Sequence, residues 1–235
     1  MNALVKYELN EGVATITLDD GKANALSADM LAQINAALDQ AQADQAVVLL
    51  AGRTGYFTGG FDLKTLMSGT IAGPDLLQAG FELAHRIMGF AKPVVIACSG
   101  HALAMGSFLL LAADVRIGAA GAFKIGANEV AIGMPMPNFP AQLCRAKLAP
   151  TYLTRAVLTA EIFNPEGAVN AGFLDRVVPA EELMAEAQKT AAALTRLNPM
   201  AFGMTRQVLN SQLLAKFAEA IKTDVNMFKG QLGLA

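Results

Sequence analysis

The sequence predicts an α/β fold in which strand–turn–strand–helix units stack as a spiral, followed by a helical C-terminal region. The chain opens with two short strands, at residues 5–9 and 13–18, around the tight turn Asn10-Glu11-Gly12. Strands and helices then alternate, whereas beyond Pro137 the hydrophobic spacing is that of helices. The repeated unit favours a stacked spiral over an ordinary doubly wound sheet.

The next elements follow from caps and apolar spacing. Ser27 is a good N-cap, and apolar residues recur at helical spacing as far as about residue 42. Residues 46–50 form a short unbroken apolar run, as expected of a strand covered on both faces. The segment AGRTGYFTGGFDL at residues 51–63 is predicted to be a glycine-rich loop.

Further along, Pro74 starts a predicted helix that reaches about residue 90, and residues 93–98 form a buried strand. The segment LAMGSFLLLAAD, residues 103–114, is hydrophobic all round, which predicts a central buried helix. Strands are predicted at 115–118 and 123–125, and helices at 181–197 and 200–228.

Composition limits the function. Hydrophobic residues make up 54% of the 235 residues and charged residues 16%, so the chain can bury a large core. The net charge is −2 without a basic stripe, which argues against nucleic acid as a ligand. No apolar run reaches the ~18 residues of a membrane span, and the N-terminus lacks a signal-peptide pattern. We therefore expect a cytoplasmic protein that does not enter membranes.

Three segments are candidates for chemistry: KANAL at 22–26, FTGGFDL at 57–63, and KPVVIACSGHALAMG at 92–106, which continues to ADVRI at 113–117. The glycines of residues 52–60 fit neither GxGxxG nor GK[ST], which excludes the dinucleotide and P-loop motifs. Ser107 does not lie in GxSxG, so a nucleophile-elbow hydrolase is disfavoured.

Together, in this order and spacing, the three segments resemble the crotonase (enoyl-CoA hydratase/isomerase) superfamily from about residue 4 to about residue 180. They resemble, respectively, the loop before its first helix, its F-x-x-G-x-D-L segment and its KPVIAAVxGxAxGGG…CDxRI signature. The resemblance implies a crotonase-like spiral of ββα units over residues 1–195 and a helical trimerisation region over 196–235. It also implies a homotrimer or a dimer of trimers, for which residues 199–212 offer an apolar helix face.

Chemistry on a thioester explains why such loops matter. Removal of a proton beside the thioester carbonyl creates an enolate, whose oxyanion needs preplaced donors in a dry site. The resemblance assigns these donors to the backbone N–H groups of Met105, at the start of the buried helix, and Phe61. The family's GGG is here Ala104-Met105-Gly106.

Glu129 is the candidate base. It lies in the apolar segment IGANEVAIG at 125–133, where burial would raise its pKa toward the range of a general base. The resemblance aligns it with a catalytic glutamate, and the preceding Asn128 gives the N-E pair found in the enoyl-CoA isomerases. A solvated loop glutamate is the alternative interpretation.

Phe108 stands where the hydratases of the family carry a second glutamate. Hydration commonly uses two carboxylates to hold and activate water, whereas a 1,3-proton transfer needs a single base. Pro137 occupies the position of the acidic residue of the dienoyl isomerases, so that type is disfavoured.

Coenzyme A is expected as part of the substrate, with no separate cofactor and no metal. Lys22, Arg53 and Lys64 are candidate partners for its phosphates, and Lys229 could reach the nucleotide from the same or a neighbouring subunit. Ordinary surface charge is the alternative for each cation. The resemblance adds candidates in the matching loops that would touch the substrate, namely Ala23, Ala25, Gly60, Asp62, Gly106, Phe108 and Asn128.

The favoured function is Δ3–Δ2-enoyl-CoA isomerisation. The alternatives are hydration or another lyase or hydrolase reaction of the same superfamily, and non-catalytic binding of acyl-CoA. Phe108 separates isomerase from hydratase, and the orientation of Glu129 toward the thioester separates enzyme from binder.

Overall fold

The computed structural model describes residues 3–233. Its larger sheet has six strands in spatial order: β1 (Val5–Asn10), β2 (Val13–Leu18), β3 (Val47–Ala51), β5 (Val94–Cys98), β7 (Val115–Ala119) and β9 (Arg176–Val178). The first two strands form the antiparallel hairpin that the sequence predicts, and every later neighbour pairs in parallel.

A second sheet of three parallel strands contains β4 (Gly55–Thr58), β6 (Gly100–Leu103) and β8 (Ile125–Gly126). The prediction that residues 51–63 are all loop was therefore wrong. Strand β4 gains its hydrogen bonds from β6, about 45 residues further along the chain, and local sequence carries no signal for that pairing. The strand predicted at 123–125 is shifted to Ile125–Gly126.

The helices are α1 (Ala28–Ala43), α2 (Leu63–Leu66), α3 (Ala72–Met88), α4 (Met105–Ala112), α5 (Asn138–Lys147), α6 (Pro150–Val157), α7 (Pro165–Ala171), α8 (Leu183–Leu194) and α9 (Pro199–Gln231). Ser27 caps α1 as predicted, since its side chain accepts a hydrogen bond from the Met30 N–H. Strand β9 corrects the prediction that only helices follow Pro137: three residues are too short for a recognisable alternation.

Successive turns of the chain place one strand in the large sheet and the next in the small sheet, which confirms the spiral. Thus β3 is followed by β4, β5 by β6, and β7 by β8. One face of the large sheet packs against α8 through Leu183, Ala187 and Ala191. The other face contributes to the main core together with α1, α3 and α4.

Helix α9 packs on α3 and α5 of its own chain through buried residues of its C-terminal half. No helix within residues 3–233 has the length and apolarity needed to cross a membrane. The division at residue 195 stays a prediction, and its outer limits, residues 1 and 235, lie outside the described residues.

Candidate active site

A cavity of about 310 Å³ lies where the loops before α1 and α2 meet α3, the start of α4, and the segment after β8. Most of its lining is apolar. The lining residues are Ala23, Ala25, Gly59, Gly60, Phe61, Asp62, Leu63, Leu66, Leu77, Phe81, Ala104, Phe108, Asn128, Glu129, Ile132, Met134 and Pro137.

The loop that carries Ala23 and Ala25 is held by two polar side chains. The Asp20 carboxylate accepts hydrogen bonds from the N–H groups of Lys22, Asn24 and Ala25. The buried Asn24 has a φ of 50° and donates its amide to the carbonyls of Leu18 and Phe57. Asparagine tolerates this left-handed conformation better than most residues, so the loop is rigid where it enters the cavity.

Phe61 lies on the cavity wall between two backbone hydrogen bonds. Leu26 pairs with this segment on both sides: its N–H donates to the Gly60 carbonyl, and its carbonyl accepts from the Asp62 N–H. Within residues 3–233, the intervening Phe61 N–H has no backbone acceptor. A donor without a protein partner at the wall of a cavity can serve an incoming oxygen atom.

The Met105 N–H is likewise without a backbone acceptor in the described part of the chain, and it lies at the first turn of α4. Gly60 has a φ of 94°, and a Cβ added to it would lie 2.9 Å from the Leu103 carbonyl oxygen and 3.5 Å from Met105 N. The Phe61 segment therefore lies directly against the start of α4. Two N–H donors and the positive end of the helix dipole suit a developing oxyanion.

Ala104 precedes α4 with φ 48° and ψ −122°, a conformation that normally requires glycine. Its N–H donates to the Gly126 carbonyl at 3.0 Å, and its carbonyl accepts from the Ser107 hydroxyl at 2.8 Å. The turn that presents Met105 is thus held between β8 and α4, and Ala104 lines the cavity.

Glu129 lies on the same cavity, three residues after the end of β8 and directly before a short 3₁₀ turn, Val130–Ile132. It is only 6% exposed, and no described residue donates a hydrogen bond to its buried Oε2. Burial raises the pKa of the carboxyl group to about 7. A carboxyl group with this pKa can both take and return a proton near neutral pH.

Two other polar groups border the cavity. The buried Oδ1 of Asn128 has no partner among the described residues. Asp62 is the second carboxylate, but it caps α2: it accepts from the Lys64 N–H and, at 2.6 Å, from the Thr65 hydroxyl. Phe108 is 1% exposed and covers the wall of the cavity that α4 forms.

The structure brings most of the predicted site residues together. Ala23, Ala25, Gly60, Phe61, Asp62, Phe108, Asn128 and Glu129 line the cavity. Met105 and Gly106 are buried in α4 and do not line the cavity. The Met105 side chain lies in the core, so only the backbone of Met105 could contact a substrate. A Cβ on Gly106 would lie 2.7 Å from the Thr58 carbonyl oxygen, which explains the glycine by packing.

The predicted cations lie outside the cavity lining. Arg53 donates to the Lys22 carbonyl at 2.5 Å and stacks over the Tyr56 ring, so these two lie together at the edge of the first loop. Lys64 is in α2, at the rim. Lys229 lies in a separate cleft between α3 and α9, beside Gln78 and Glu82, so it does not reach the cavity of its own chain.

Sequence reasoning missed much of the apolar lining, which comprises Gly59, Leu63, Leu66, Leu77, Phe81, Ile132 and Met134. Leu77 and Phe81 are one helical turn apart on the face of α3 that meets the site. Both lie within the helix predicted from Pro74 to about residue 90, and nothing local distinguishes a residue of the core from a residue of a cavity wall.

Comparison with known proteins shows the family to which the chain belongs. A family model for enoyl-CoA hydratase/isomerase matches residues 8–232. A solved enoyl-CoA hydratase/isomerase family protein from Pseudomonas syringae is 46% identical, with a TM-score of 0.93 and coverage of 95% of this chain and 97% of that chain. The apo structure of a Mycobacterium tuberculosis protein described as an enoyl-CoA isomerase is 37% identical, with a TM-score of 0.90 and coverage of 98% and 99%. Another structure of the same protein describes it as a probable enoyl-CoA hydratase.

A probable enoyl-CoA hydratase of Bacillus subtilis (strain 168) is 27% identical over 238 residues, which cover 97% of this chain and 90% of the relative.

The match to the solved Pseudomonas syringae structure shows that the spiral of two sheets is the crotonase fold. The chain belongs to the enoyl-CoA hydratase/isomerase family.

Proposed function

We propose that this enzyme converts 3-enoyl-CoA thioesters to 2-enoyl-CoA thioesters, with Glu129 as the base that carries the proton. One observation supports this choice over hydration: the buried carboxyl of Glu129 faces an apolar cavity in which Phe108 takes the place of a second carboxylate. An apolar wall disfavours a bound, activated water molecule and suits a proton shuttle.

In the proposed reaction, the Glu129 carboxylate removes a proton from C2 of the 3-enoyl thioester. The electron pair moves into the thioester carbonyl, and the resulting dienolate oxygen accepts hydrogen bonds from the Phe61 and Met105 N–H groups. Glu129, now a carboxylic acid, returns the proton to C4, which forms the C2–C3 double bond. This step consumes no water and needs no cofactor beyond the CoA of the substrate.

Binding of the CoA portion is proposed at the rim. Lys22 lies in the loop before α1, Arg53 lies between β3 and β4, and Lys64 lies in α2. Cations at such positions can pair with phosphates. Lys229 could contribute only from a neighbouring subunit, because it faces another cleft of its own chain.

Hydration is the second candidate, and the description of the Bacillus subtilis relative favours it. Asp62 is a carboxylate at the cavity edge that could in principle assist water. Its hydrogen bonds to the Lys64 N–H and the Thr65 hydroxyl fix it as the N-cap of α2, which favours a structural role over the activation of water.

The test is a panel of 2-enoyl and 3-enoyl CoA thioesters, with products separated and weighed by mass spectrometry. We expect 3-enoyl substrates to give products of unchanged mass and 2-enoyl substrates to gain no water. Substrate deuterated at C2 should return part of the label to C4, since one base moves the proton. Rapid gain of 18 mass units from 2-enoyl substrates would replace the proposal with hydration.

Glu129→Gln is the matched variant, because it keeps the shape of the side chain and removes the base. It should lower kcat at least ~10²-fold with little change in KM. Full isomerase activity in this variant would overturn the role of Glu129 and leave the fold assignment intact.

A further inference from the structure

Gly80 lies buried in the middle of α3, where glycine is disfavoured relative to alanine. A close contact, and not a turn of the backbone, explains the glycine at this position. A Cβ added to Gly80 would lie 2.2 Å from Cε1 and 2.4 Å from Cζ of the Phe61 ring. The ring therefore rests directly on the backbone of α3, in space that any side chain at position 80 would take.

The Phe61 ring is fixed from two further directions. Its centroid lies 6.1 Å from that of Phe81, which in turn packs at 5.0 Å against Phe139 of α5. On the backbone side, Leu26 holds the flanking residues of Phe61 through two hydrogen bonds. The direction of the Phe61 N–H is thus set by the Leu26 pairing and by the seat of the ring on Gly80.

We infer that Gly80 is a positioning residue for catalysis: its missing side chain seats the Phe61 ring on α3 and so aims the Phe61 N–H at the substrate oxygen. Gly80 contributes no group to the cavity itself. The inference rests on the part of the proposed function in which Phe61 binds an oxyanion, and it holds for isomerisation and hydration alike.

The test is Gly80→Ala, read with two CoA ligands. The C2 protons of a 3-ketoacyl-CoA are acidic, so we expect this ligand to bind as an enolate when the oxyanion donors are correctly placed. The ultraviolet absorbance of the enolate would report that binding. A saturated acyl-CoA has no enolate and reports ground-state binding only. We expect the variant to weaken enolate binding and to lower kcat by ~10-fold or more, because small misplacements in a site have large effects. Saturated acyl-CoA affinity and KM should change little.

Rescue makes the test specific. In a Phe61→Leu background the clashing ring atoms are gone, so adding Gly80→Ala should change enolate affinity by less than ~2-fold, a non-additivity that a merely local effect on α3 would not produce. Gly230→Ala is the control: it is the same substitution within a helix, and no heavy atom lies within 4 Å of the added Cβ. It should leave both affinities unchanged.

Native enolate affinity in Gly80→Ala, equal loss for both ligands, or absence of rescue by Phe61→Leu would overturn the inference. Should Gly80→Ala fail to fold, Phe61→Ala with Gly80 intact unseats the same segment, and unchanged enolate binding there would overturn it equally. A wild-type protein that binds the enolate but does not isomerise 3-enoyl substrates would defeat the proposed isomerisation and leave this inference standing.

Discussion

At the scale of single residues, the environment of Glu129 explains how one carboxyl group could act as both base and acid. It is buried in apolar surroundings, and its Oε2 has no protein donor in the described chain. Burial and, to a smaller extent, the negative charge of Glu129 raise the pKa of the nearby Cys144 thiol to about 12, so that cysteine stays neutral. Because burial disfavours a charge, the ionised form of Glu129 is destabilised, and this form has a raised tendency to take up a proton.

The first prediction at this scale is a pH dependence. Because the base must be ionised, kcat/KM should rise with pH through about 7 and then level off. Rate profiles between pH 5 and pH 9, with Glu129→Gln as the control, would measure it. A profile that is flat across pH 7 would contradict the assignment of the base.

Stability should depend on pH in the opposite direction. Burial raises the pKa of Glu129 in the folded state above its ordinary value, so the folded state binds more protons between the two pKa values. The contribution of Glu129 to the free energy of unfolding is thus full at low pH and is lost as pH rises through about 7. Compared with the wild type, Glu129→Gln should gain ~1–3 kcal/mol between pH 5 and pH 8 in urea titrations. A difference that does not vary with pH would contradict the burial of the ionised group.

At the scale of elements, a single carboxylate joins α9 to the start of α5. Asp224 is fully buried in α9. It accepts hydrogen bonds from the N–H and side-chain amide of Asn138 and from the Phe139 N–H, which are the first residues of α5. Pro137, directly before them, lines the cavity. Helix α9 thereby supports the wall of the candidate site, although none of its described residues, Pro199–Gln231, lines the cavity.

Asp224→Ala should consequently be strongly destabilising, because it leaves the buried N–H groups of α5 without an acceptor. We expect the free energy of unfolding to fall by ~2–4 kcal/mol, measured by chemical denaturation. Glu219→Ala, on an exposed face of the same helix, should change it by less than ~0.5 kcal/mol. Equal effects of the two variants would show that the capping contact is not important.

At the scale of the whole molecule, the N-terminal half of α9 leaves an apolar face uncovered. Met200, Met204, Val208 and Leu209 are between 63% and 82% exposed, whereas the C-terminal half of the same helix is packed on its own chain. Clustered apolar surface of this kind marks an interface. We propose that it packs between subunits of a closed, trimer-based assembly, as the sequence resemblance predicts.

Light scattering should accordingly give a mass of three or six times 24.6 kDa for the native protein. Met204→Glu places a charge in the exposed apolar face and should dissociate the assembly at micromolar concentration. Ala36→Glu adds the same charge at an exposed position of a different helix, α1, and should leave the mass unchanged. A native mass of 24.6 kDa, or no effect of Met204→Glu, would contradict the proposal.

The sequence by itself determined the elements whose signals are local. Apolar spacing and the Ser27 cap predicted α1, and the unbroken apolar runs predicted β3 and β5. The resemblance of three short segments to the crotonase superfamily indicated the candidate site residues. These features arise from residues that are close in the chain, so they can be recognised without knowledge of the fold.

Only the tertiary structure decided what depends on distant residues. The pairing of β4 with β6 joins segments about 45 positions apart, and the contact of Gly80 with Phe61 joins residues 19 positions apart. The apolar cavity wall on α3 meets residues from Ala23 to Pro137. The tertiary structure also decided that Lys229 lies in a different cleft, whereas Asp62 caps α2 at the edge of the cavity. The physical reason is that burial and hydrogen-bond partners, which set the direction of an N–H and the pKa of a carboxyl group, are supplied by whichever segments the fold brings together.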